Sequence, residues 1–382
     1  MASGDFGAVL DSKTFLQYEG QPPTLRKRNA NVALLVSQGP AFLQVCLRSI
    51  AIDDAGLIDA TPINLIGISN GTARDMGLLH WLDNVFVAYV NDHTAKGMLY
   101  TIACDDDGTI TEPPLDSLVI GQASNIQRRS NLTKPHDGIL LTAVANPYPN
   151  VFLQTVTITD AGIMPPAVTD SMNLPYGNRV QIVRQGAGDR IIDLLSVMAE
   201  YWIYSLTCTD AGDLPGSVTD YWGPLPSSTD WNSLCKVSDS VFAVLSQDAS
   251  LSVYLRTFSI NPDGTINKTW IDEELVDTVG PSQLHIMEME QGYFVLAYTF
   301  TGPKWRLKTY FIAPDGTIQD GGIDFLDRST GVRGSPWLEH LNGNIWTFTN
   351  EDSLGVIRVD TIEIQTPTAG NTHNELVFGI GP

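Results

Sequence analysis

A phrase of ten residues recurs seven times along the chain and constrains its fold more than any other feature. The copies read LRSIAIDDAG, LYTIACDDDG, LQTVTITDAG, IYSLTCTDAG, LRTFSINPDG, LKTYFIAPDG and, in degraded form, VDTIEIQTPT. They begin at Leu47, Leu99, Leu153, Ile203, Leu255, Leu307 and Val359, with spacings of 52, 54, 50, 52, 52 and 52 residues. A hydroxyl residue stands two positions after each start, at Ser49, Thr101, Thr155, Ser205, Thr257, Thr309 and Thr361. Internal repeats of this kind predict a fold built from equivalent units, here seven.

Each phrase has the pattern of a β-strand that runs into a hairpin turn. Apolar and polar residues alternate with period two, and six copies end in Asp-x-Gly or Pro-Asp-Gly. Glycine in such a turn supplies the positive φ angle that other residues avoid. A polar turn followed by a short apolar run precedes each phrase, as in Asp83-Asn84 before VFVAYV. Each unit therefore contains four strand candidates, a to d in chain order, with the phrase as strand c.

Four short strands repeated about every 52 residues predict an all-β fold, a seven-bladed β-propeller of four-stranded antiparallel blades. An open solenoid is the alternative, but its repeats are usually shorter and it needs distinct capping units. Residues 7–20 read like a strand d, so we expect this N-terminal strand to complete the last blade and close the ring. The segment NELVFGIG (374–381) competes for the same place. We predict a single propeller domain over residues 1–382, with residues 371–382 as a C-terminal tail.

Three of the turns share an Asp-x-Gly-Thr-Ile or Asp-Gly-Thr-Ile sequence, at residues 106–110, 263–266 and 315–318. They resemble the Asp-box hairpins of sialidases and related propellers, although they lack the leading Ser and the trailing aromatic residue of that motif. Such turns lie at the periphery of the blades. The resemblance therefore supports the propeller architecture and implies no activity.

The charge balance excludes some classes of partner. Asp and Glu number 43 against 22 Lys and Arg, which gives a formal net charge of -21. Such a surface repels phosphate backbones and anionic membranes, so we expect no nucleic-acid binding. No apolar run is long enough for a membrane helix, and the N-terminus has no classical signal peptide, so we expect no membrane insertion. A cytoplasmic or a virion-associated location is compatible with these features.

The four cysteines, Cys46, Cys104, Cys208 and Cys235, form no CxxC motif and no metal-ligand spacing. Cys104 and Cys208 take the place that isoleucine holds in other phrases, so we interpret them as core residues. Because those two lie two blades apart in equivalent strands, we expect no disulfide. No metal site and no cofactor are predicted.

Arginines are concentrated where a propeller usually binds ligands, at the mouth formed by the d–a and b–c connections. Nine of fourteen lie in d–a stretches or at the start of strand a: Arg26, Arg28, Arg74, Arg128, Arg129, Arg179, Arg184, Arg328 and Arg333. Guanidinium groups bind carboxylates and phosphates bidentately, which would suit an acidic sugar or the acidic residues of a protein partner. The alternative is that these arginines pair with carboxylates of the protein itself.

Aromatic residues add candidates for stacking on a sugar. Tyr221, Trp222 and Trp231 fall in the long fourth d–a region, DYWGPLPSSTDW, although packing between blades is the alternative role. The complete predicted ligand-binding set is Arg74, Arg128, Arg129, Arg179, Arg333, Tyr221, Trp222 and Trp231.

Motifs of enzyme chemistry are missing from the sequence. It contains no Ser/His/Asp grouping, phosphate loop or nucleophile elbow, and no HxH or HExxH arrangement, so no catalytic residue is assigned. His80 and His340 occupy equivalent strand-a positions, which indicates a shared structural role. The predicted function is a non-enzymatic recognition or structural module that binds a glycan or a protein, and the arginine mouth would suit an anionic partner. The alternative is a glycoside hydrolase or lyase that uses channel carboxylates such as Asp75, Glu200 and Asp230.

Overall fold

The described part of the chain is built from β-strands and turns and contains no helix. The computed structural model describes residues 3–15, 23–38, 44–70, 75–91, 96–122, 132–145, 151–174, 179–185, 190–197, 200–227, 232–278, 284–289, 291–300, 304–328, 332–352 and 356–365. The strands in chain order are β1 (Phe6–Phe15), β2 (Thr24–Lys27), β3 (Val32–Gln38), β4 (Gln44–Ala51), β5 (Asn64–Asn70), β6 (Asp75–Leu82), β7 (Val85–Asn91), β8 (Lys96–Ala103), β9 (Asp116–Gln122), β10 (Leu132–His136), β11 (Ile139–Ala145), β12 (Val151–Thr157), β13 (Asp170–Leu174), β14 (Arg179–Arg184), β15 (Arg190–Val197), β16 (Glu200–Thr207), β17 (Asp220–Pro226), β18 (Ser233–Lys236), β19 (Val241–Gln247), β20 (Val253–Ser259), β21 (Asp272–Asp277), β22 (Leu284–Glu288), β23 (Tyr293–Phe300), β24 (Lys304–Phe311), β25 (Asp324–Arg328), β26 (Val332–Asn342), β27 (Ile345–Asp352) and β28 (Ile357–Ile364).

These strands form seven four-stranded antiparallel sheets, which we number as blades 1 to 7 from β2 onwards. Six blades take four consecutive strands, and the seventh has the order β1-β28-β27-β26. The N-terminal strand β1 pairs with β28 from Phe6 opposite Ile364 to Phe15 opposite Ile357. The predicted seven-bladed propeller and its closure by the N-terminal strand are confirmed. The competing segment 374–381 and the tail 371–382 lie outside the described residues.

The first strand of each blade is the innermost. First strands of neighbouring blades contact one another all the way round, including β26 with β2. Side chains reinforce these contacts: Gln181 Nε2 donates to Leu234 O (2.8 Å), and Leu234 N donates to Gln181 Oε1 (2.7 Å). The innermost strands therefore form a closed inner ring that fixes the position of every blade.

The second strand of a blade is buried on both faces, because a neighbouring blade covers each side. All seven residues of β3, and all seven of β19, are buried. In β7, Phe86 packs in the cluster shared with blade 1, whereas Val87 packs in the cluster shared with blade 3. The hydrophobic core is therefore divided into layers between the blades, which explains why strand b has a continuous apolar run.

The recurring hydroxyl residue of strand c joins each blade to the next one. Its side chain donates to the carbonyl of the turn glycine of the following blade at 2.5–2.6 Å. The pairs are Ser49–Gly108, Thr101–Gly162, Thr155–Gly212, Thr257–Gly316, Thr309–Gly4 and Thr361–Gly56. Ser205 is the exception, because its buried hydroxyl has no hydrogen-bond partner among the described residues. The repeated Ser/Thr position is thus a contact between blades.

A second column, of carboxylates, makes a further set of connections between blades. Its members lie opposite the hydroxyl residues in the outer strand, fifteen residues later in the chain in blades 2 to 6, and in blade 7 the member is Asp11 of β1, opposite Thr361. Each of these aspartates accepts a backbone N–H from the next blade at 2.7–2.9 Å. The pairs are Asp11–Ile58, Asp116–Met164, Asp170–Leu214, Asp220–Ile266, Asp272–Ile318 and Asp324–Phe6. Blade 1 has Asn64 in the equivalent position. Hydrogen bonds to a charged acceptor are stronger than neutral ones, so this column is a main link between blades.

The carboxylate column should make the stability of the ring depend on acid pH. Burial of the Asp220 carboxylate opposes its ionisation, but Lys268 and the N–H groups of Ile266 and Tyr221 outweigh that effect and lower its pKa from 3.8. A lowered pKa stabilises the fold above pH 3.8, and this contribution is lost as the pH falls through the lowered value. We expect Asp220→Asn to lower the free energy of unfolding by about 1–3 kcal/mol at neutral pH. The difference from the wild-type protein should shrink below pH 3.8.

Urea unfolding at a series of pH values measures this difference. Asp320→Asn is the matched control, because Asp320 is exposed and lies outside the carboxylate column. It should unfold like the wild-type protein at every pH. An Asp220→Asn variant that is as stable as Asp320→Asn at neutral pH would contradict the proposed link.

The c–d turn of blade 7 is divided between the two ends of the described chain. Gly4 N donates to Gln365 O (2.8 Å), and Gln365 N donates to Asp5 O (3.0 Å). In blade 1 the same two bonds join Gly56 N to Asp53 O (2.9 Å) and Asp53 N to Leu57 O (3.0 Å). Gly4 also has a φ of 89°, close to the 80° of Gly56. The N-terminus therefore supplies the turn glycine of blade 7 as well as its outer strand.

Candidate functional site

The predicted arginine mouth lies largely outside the described residues. Arg74, Arg128, Arg129 and Trp231 fall in undescribed connections. The backbones of Arg179 and Arg333 lie in the innermost strands β14 and β26, and their side chains are not described. An anion-binding mouth on this side of the ring therefore stays a prediction.

Two arginines of the same group have internal partners, as the alternative interpretation requires. Arg26 donates through Nε to Leu78 O (2.9 Å), pairs with Glu339 (2.8 Å) and lies 4.4 Å from the ring centroid of Trp337. Arg28 donates to Cys104 O (2.7 Å) and pairs with Asp106 (2.8 Å). Both guanidinium groups therefore connect neighbouring blades.

Tyr221 and Trp222 lie in the outer strand β17 and not in the d–a connection where the sequence placed them. The reason is that Asp220, a member of the carboxylate column, marks the start of a fourth strand. The Tyr221 side chain is 53% exposed, and Lys268 Nζ lies 5.5 Å from its ring centroid. Trp222 is half-buried, with its ring centroid 4.3 Å from that of Trp270. Trp222 therefore contributes to packing between blades 4 and 5.

The opposite side of the ring is better described, and we call it the turn face. It consists of the a–b and c–d connections, which lie at the same end because consecutive strands are antiparallel. At its centre, the innermost strands end in a column of ionisable residues spaced by 50 to 54 positions. The members are Lys27, His80, Lys134, Arg184, Lys236, Glu288 and His340.

Most of these central side chains interact with their own a–b turn. Lys134 pairs with Asp137 (3.0 Å), and Lys236 pairs with Asp239 (2.8 Å). The imidazoles of the two histidines, His80 and His340, lie against Phe86 and Trp346, and each contacts a turn carbonyl at 2.7 and 2.9 Å. Their shared structural role, predicted from the sequence, is confirmed. Cations at the centre of the turn face are thus largely balanced by nearby aspartates.

The periphery of the turn face is acidic. Fifteen aspartates in its described connections have exposed side chains, and only seven Lys or Arg side chains are described there or beside it. The aspartates are Asp53, Asp54, Asp59, Asp83, Asp105, Asp106, Asp107, Asp137, Asp160, Asp210, Asp213, Asp239, Asp263, Asp315 and Asp320. The cations are Lys27, Arg28, Lys134, Arg184, Arg190, Lys236 and Lys268. We call these fifteen residues the acidic rim.

Rim aspartates are held in the ionised form by local hydrogen bonds. The backbone N–H and the hydroxyl of Thr109 lower the pKa of Asp107, and Thr317 does the same for Asp315. The hydroxyl and the N–H of Thr265 lower the pKa of Asp263. These three rim aspartates are therefore ionised at neutral pH.

No metal centre is assembled among the residues that the structure describes. They contain no group of three His, Cys, Asp or Glu residues arranged to hold a metal ion. Of the acids named for a hydrolase, only Glu200 has a described side chain, which is exposed at the start of β16. All four cysteines are free thiols, and burial raises the pKa of Cys104 to about 12. Those thiols are therefore poor nucleophiles.

Sequence reasoning missed the carboxylate column, the central ionisable column and the acidic rim. The two columns could have been recognised in the sequence: Asp116, Asp170, Asp220, Asp272 and Asp324 follow their hydroxyl residues by a constant fifteen positions. The central column follows the same repeat in strand a. Aligning every position of the repeat, instead of the phrase alone, would have found both.

Comparison with known proteins supports the fold. No family model matches the chain, and no curated protein matches it in sequence. Among solved structures, the WD40 domain of Toxoplasma gondii coronin has a TM-score of 0.62 at 10% identity, over 96% of this chain and 90% of that one. BBS1N in complex with ARL6DN has a TM-score of 0.56 at 8% identity, over 97% and 99%. A putative 6-phosphogluconolactonase from Bacteroides fragilis has a TM-score of 0.53 at 10% identity, over 81% and 87%.

The chain therefore has the propeller fold of WD40 domains. At these identities the likeness concerns the fold alone. A search for membrane-spanning helices among the described residues found none.

Proposed function

We propose that the chain is a non-enzymatic recognition module that binds a basic surface of a protein partner through the acidic rim. The observation that carries this proposal is the concentration of exposed aspartates on one face of the ring. Propellers with WD40 folds are commonly protein-interaction modules. One of the similar structures contains BBS1N in complex with ARL6DN.

Electrostatics favour a basic partner over an anionic one at this face. The fifteen rim aspartates outnumber the seven described cations, even though two of them, Asp137 and Asp239, pair with Lys134 and Lys236. A face of one charge sign attracts the opposite sign over several ångströms and accelerates encounter, and salt weakens both effects. The turns are also held in place by hydrogen bonds, so binding would order little additional chain.

Binding of a short lysine peptide tests the proposal. The probe is the fluorescein-labelled peptide GKKSKKG, and its affinity is measured by anisotropy at low and at physiological salt. Replacing one rim residue, Asp160→Lys, should weaken binding about threefold to tenfold, since a favourable charge pair becomes a repulsive one. The peptide GEESEEG should not bind.

The control separates a localised site from the total charge of the protein. Glu200→Lys changes the net charge by the same amount, but Glu200 is exposed on the opposite side of the ring. It should leave the affinity for GKKSKKG nearly unchanged. Equal losses in the two variants would mean that the peptide responds only to net charge, and the acidic rim would be rejected as the binding surface.

A further inference from the structure

The connection between β12 and β13 in blade 3 forms a groove on the turn face. Its volume is about 570 Å³. The floor and walls come from Ile163, Met164, Pro165, Pro166, Ala167 and Val168, with threonine side chains at the border. A concave apolar surface of this volume is large enough to bind a side chain of a partner.

Hydrogen bonds hold the groove open in one shape. Met164 N donates to Asp116 Oδ2 of the preceding blade (2.8 Å), and Ile163 N donates to Thr159 Oγ1 (3.0 Å). The hydroxyls of Thr157 and Thr169 lie 2.9 Å apart across the base of the connection. A ligand would therefore enter a pre-organised groove and would not have to order the loop.

An apolar side chain in this groove remains open to solvent. Ile163 is 49% exposed, although it follows a turn whose glycine, Gly162, is packed against Leu115 and Val85 of blade 2. Covering Ile163 and the two adjacent proline rings would remove apolar surface from water, which is favourable for association.

Acidic residues lie in the same connection and in the next turn of the ring. Asp160 lies in the same connection and is exposed. The following turn of blade 4 carries the exposed Asp210 and Asp213. That turn is held next to blade 3 because Thr155 donates to Gly212 O (2.6 Å). The apolar groove therefore lies in an acidic part of the turn face.

We propose that this groove binds one large apolar side chain that is carried on a basic segment of the partner protein. The proposal rests on the proposed function and names the feature of the partner that the acidic rim would recognise. Lysine or arginine residues on either side of the apolar residue contact Asp160 and Asp213, while the apolar side chain covers Ile163. An anionic lipid surface is disfavoured because the same aspartates repel it.

Two peptides that differ in one residue test the proposal on the intact protein. The probes are fluorescein-labelled GKKLKKG and GKKSKKG, compared by anisotropy under the same conditions. Burial of the leucine side chain should make GKKLKKG bind roughly tenfold more tightly. Vesicles of anionic phospholipid are the third probe, and they should not bind.

Variants within and beside the groove locate the effect. Ala167→Trp fills the groove and should abolish the tenfold preference for leucine, while binding of GKKSKKG persists. Ala211→Trp places the same side chain on the exposed turn of blade 4, outside the groove, and should keep the preference. Thermal unfolding of both variants shows whether each remains folded.

The outcomes distinguish this inference from the proposed function. Equal affinities of the two peptides, with the effect of Asp160→Lys retained, overturn the groove and leave the acidic rim in place. A leucine preference that survives in Ala167→Trp also overturns it, as does binding to the vesicles. If Asp160→Lys does not weaken the binding of GKKSKKG, the acidic rim is refuted instead.

Discussion

Replacing Gly108 with alanine is expected to lower the free energy of unfolding by about 2–4 kcal/mol, a large effect for a single methyl group. Gly108 has a φ of 88°, which alanine adopts only with strain. A Cβ atom there would lie 2.5 Å from Ile63 Cδ1 and 3.3 Å from Ile63 Cβ of blade 1. Because isoleucine is stiff at χ1, the carbonyl that accepts the Ser49 hydroxyl at 2.6 Å would be displaced as well.

Two control glycines separate the causes of this effect. Gly138 has a φ of 77°, but the nearest atom to an added Cβ is Ile158 O at 3.8 Å, so Gly138→Ala measures backbone strain alone, about 1 kcal/mol. Gly216 has no atom within 4 Å of an added Cβ and no positive φ, so Gly216→Ala should not destabilise the protein. In urea unfolding, the loss in the free energy of unfolding should be smallest for Gly216→Ala, intermediate for Gly138→Ala and largest for Gly108→Ala. Equal losses for Gly108→Ala and Gly138→Ala would show that the contact between blades is unimportant.

Deleting residues 1–15 is expected to have the largest effect of all. It should lower the free energy of unfolding by about 5 kcal/mol or more, which equals the whole stability of many domains. The deletion removes β1, the Gly4 carbonyl that accepts from Thr309 (2.6 Å) and the Asp11 carboxylate that accepts from Ile58 (2.9 Å). It also exposes the edge of β28, and an unpaired strand edge promotes aggregation. Calorimetry should show no cooperative transition near that of the full chain, and size-exclusion chromatography should show aggregates.

A shorter deletion is the control for this result. Removing residues 2 and 3 keeps Gly4 and all of β1, so the melting temperature should stay close to that of the full chain. Adding a synthetic peptide of residues 1–15 to the longer deletion should restore part of the cooperative transition. A chain without residues 1–15 that melts like the full protein would show that β1 does not close the ring.

The architecture could be predicted from the sequence because the repeat is nearly regular. Blade number, four strands per blade and closure by the N-terminal strand all follow from the spacing of the phrase and from a strand-like N-terminus. Turn glycines were expected to have positive φ, and Gly56, Gly108, Gly162, Gly212, Gly264 and Gly316 have φ angles of 78–97°. The strand pattern, the turn glycines and the spacing of the repeat all indicate the same fold, which makes such a chain predictable.

The candidate site was less predictable, because surface function depends on contacts that one sequence does not reveal. Arginine is a common residue in ligand sites, and the sequence therefore made Arg26 and Arg28 candidates. Their actual partners, Glu339 and Asp106, lie in other blades. Tyr221 falls within a loop-like sequence that contains two prolines, yet Asp220 begins a strand there. The acidic rim arises only when turns from different repeats are brought to one face.

The divided turn of blade 7 has a consequence for how the chain can be rearranged. Two residues, Asp54 and Ala55, separate Asp53 from Gly56 in the whole turn of blade 1. A linker of that length between Gln365 and Gly4 would therefore make the seventh turn continuous. The chain could then be opened at the c–d turn of another blade, as it is in blade 7, where the hydrogen bond from Thr309 to Gly4 O between blades is kept. The position of the chain ends is therefore not fixed by the ring. A circular permutant that starts in blade 2 or blade 5 should assemble the same propeller.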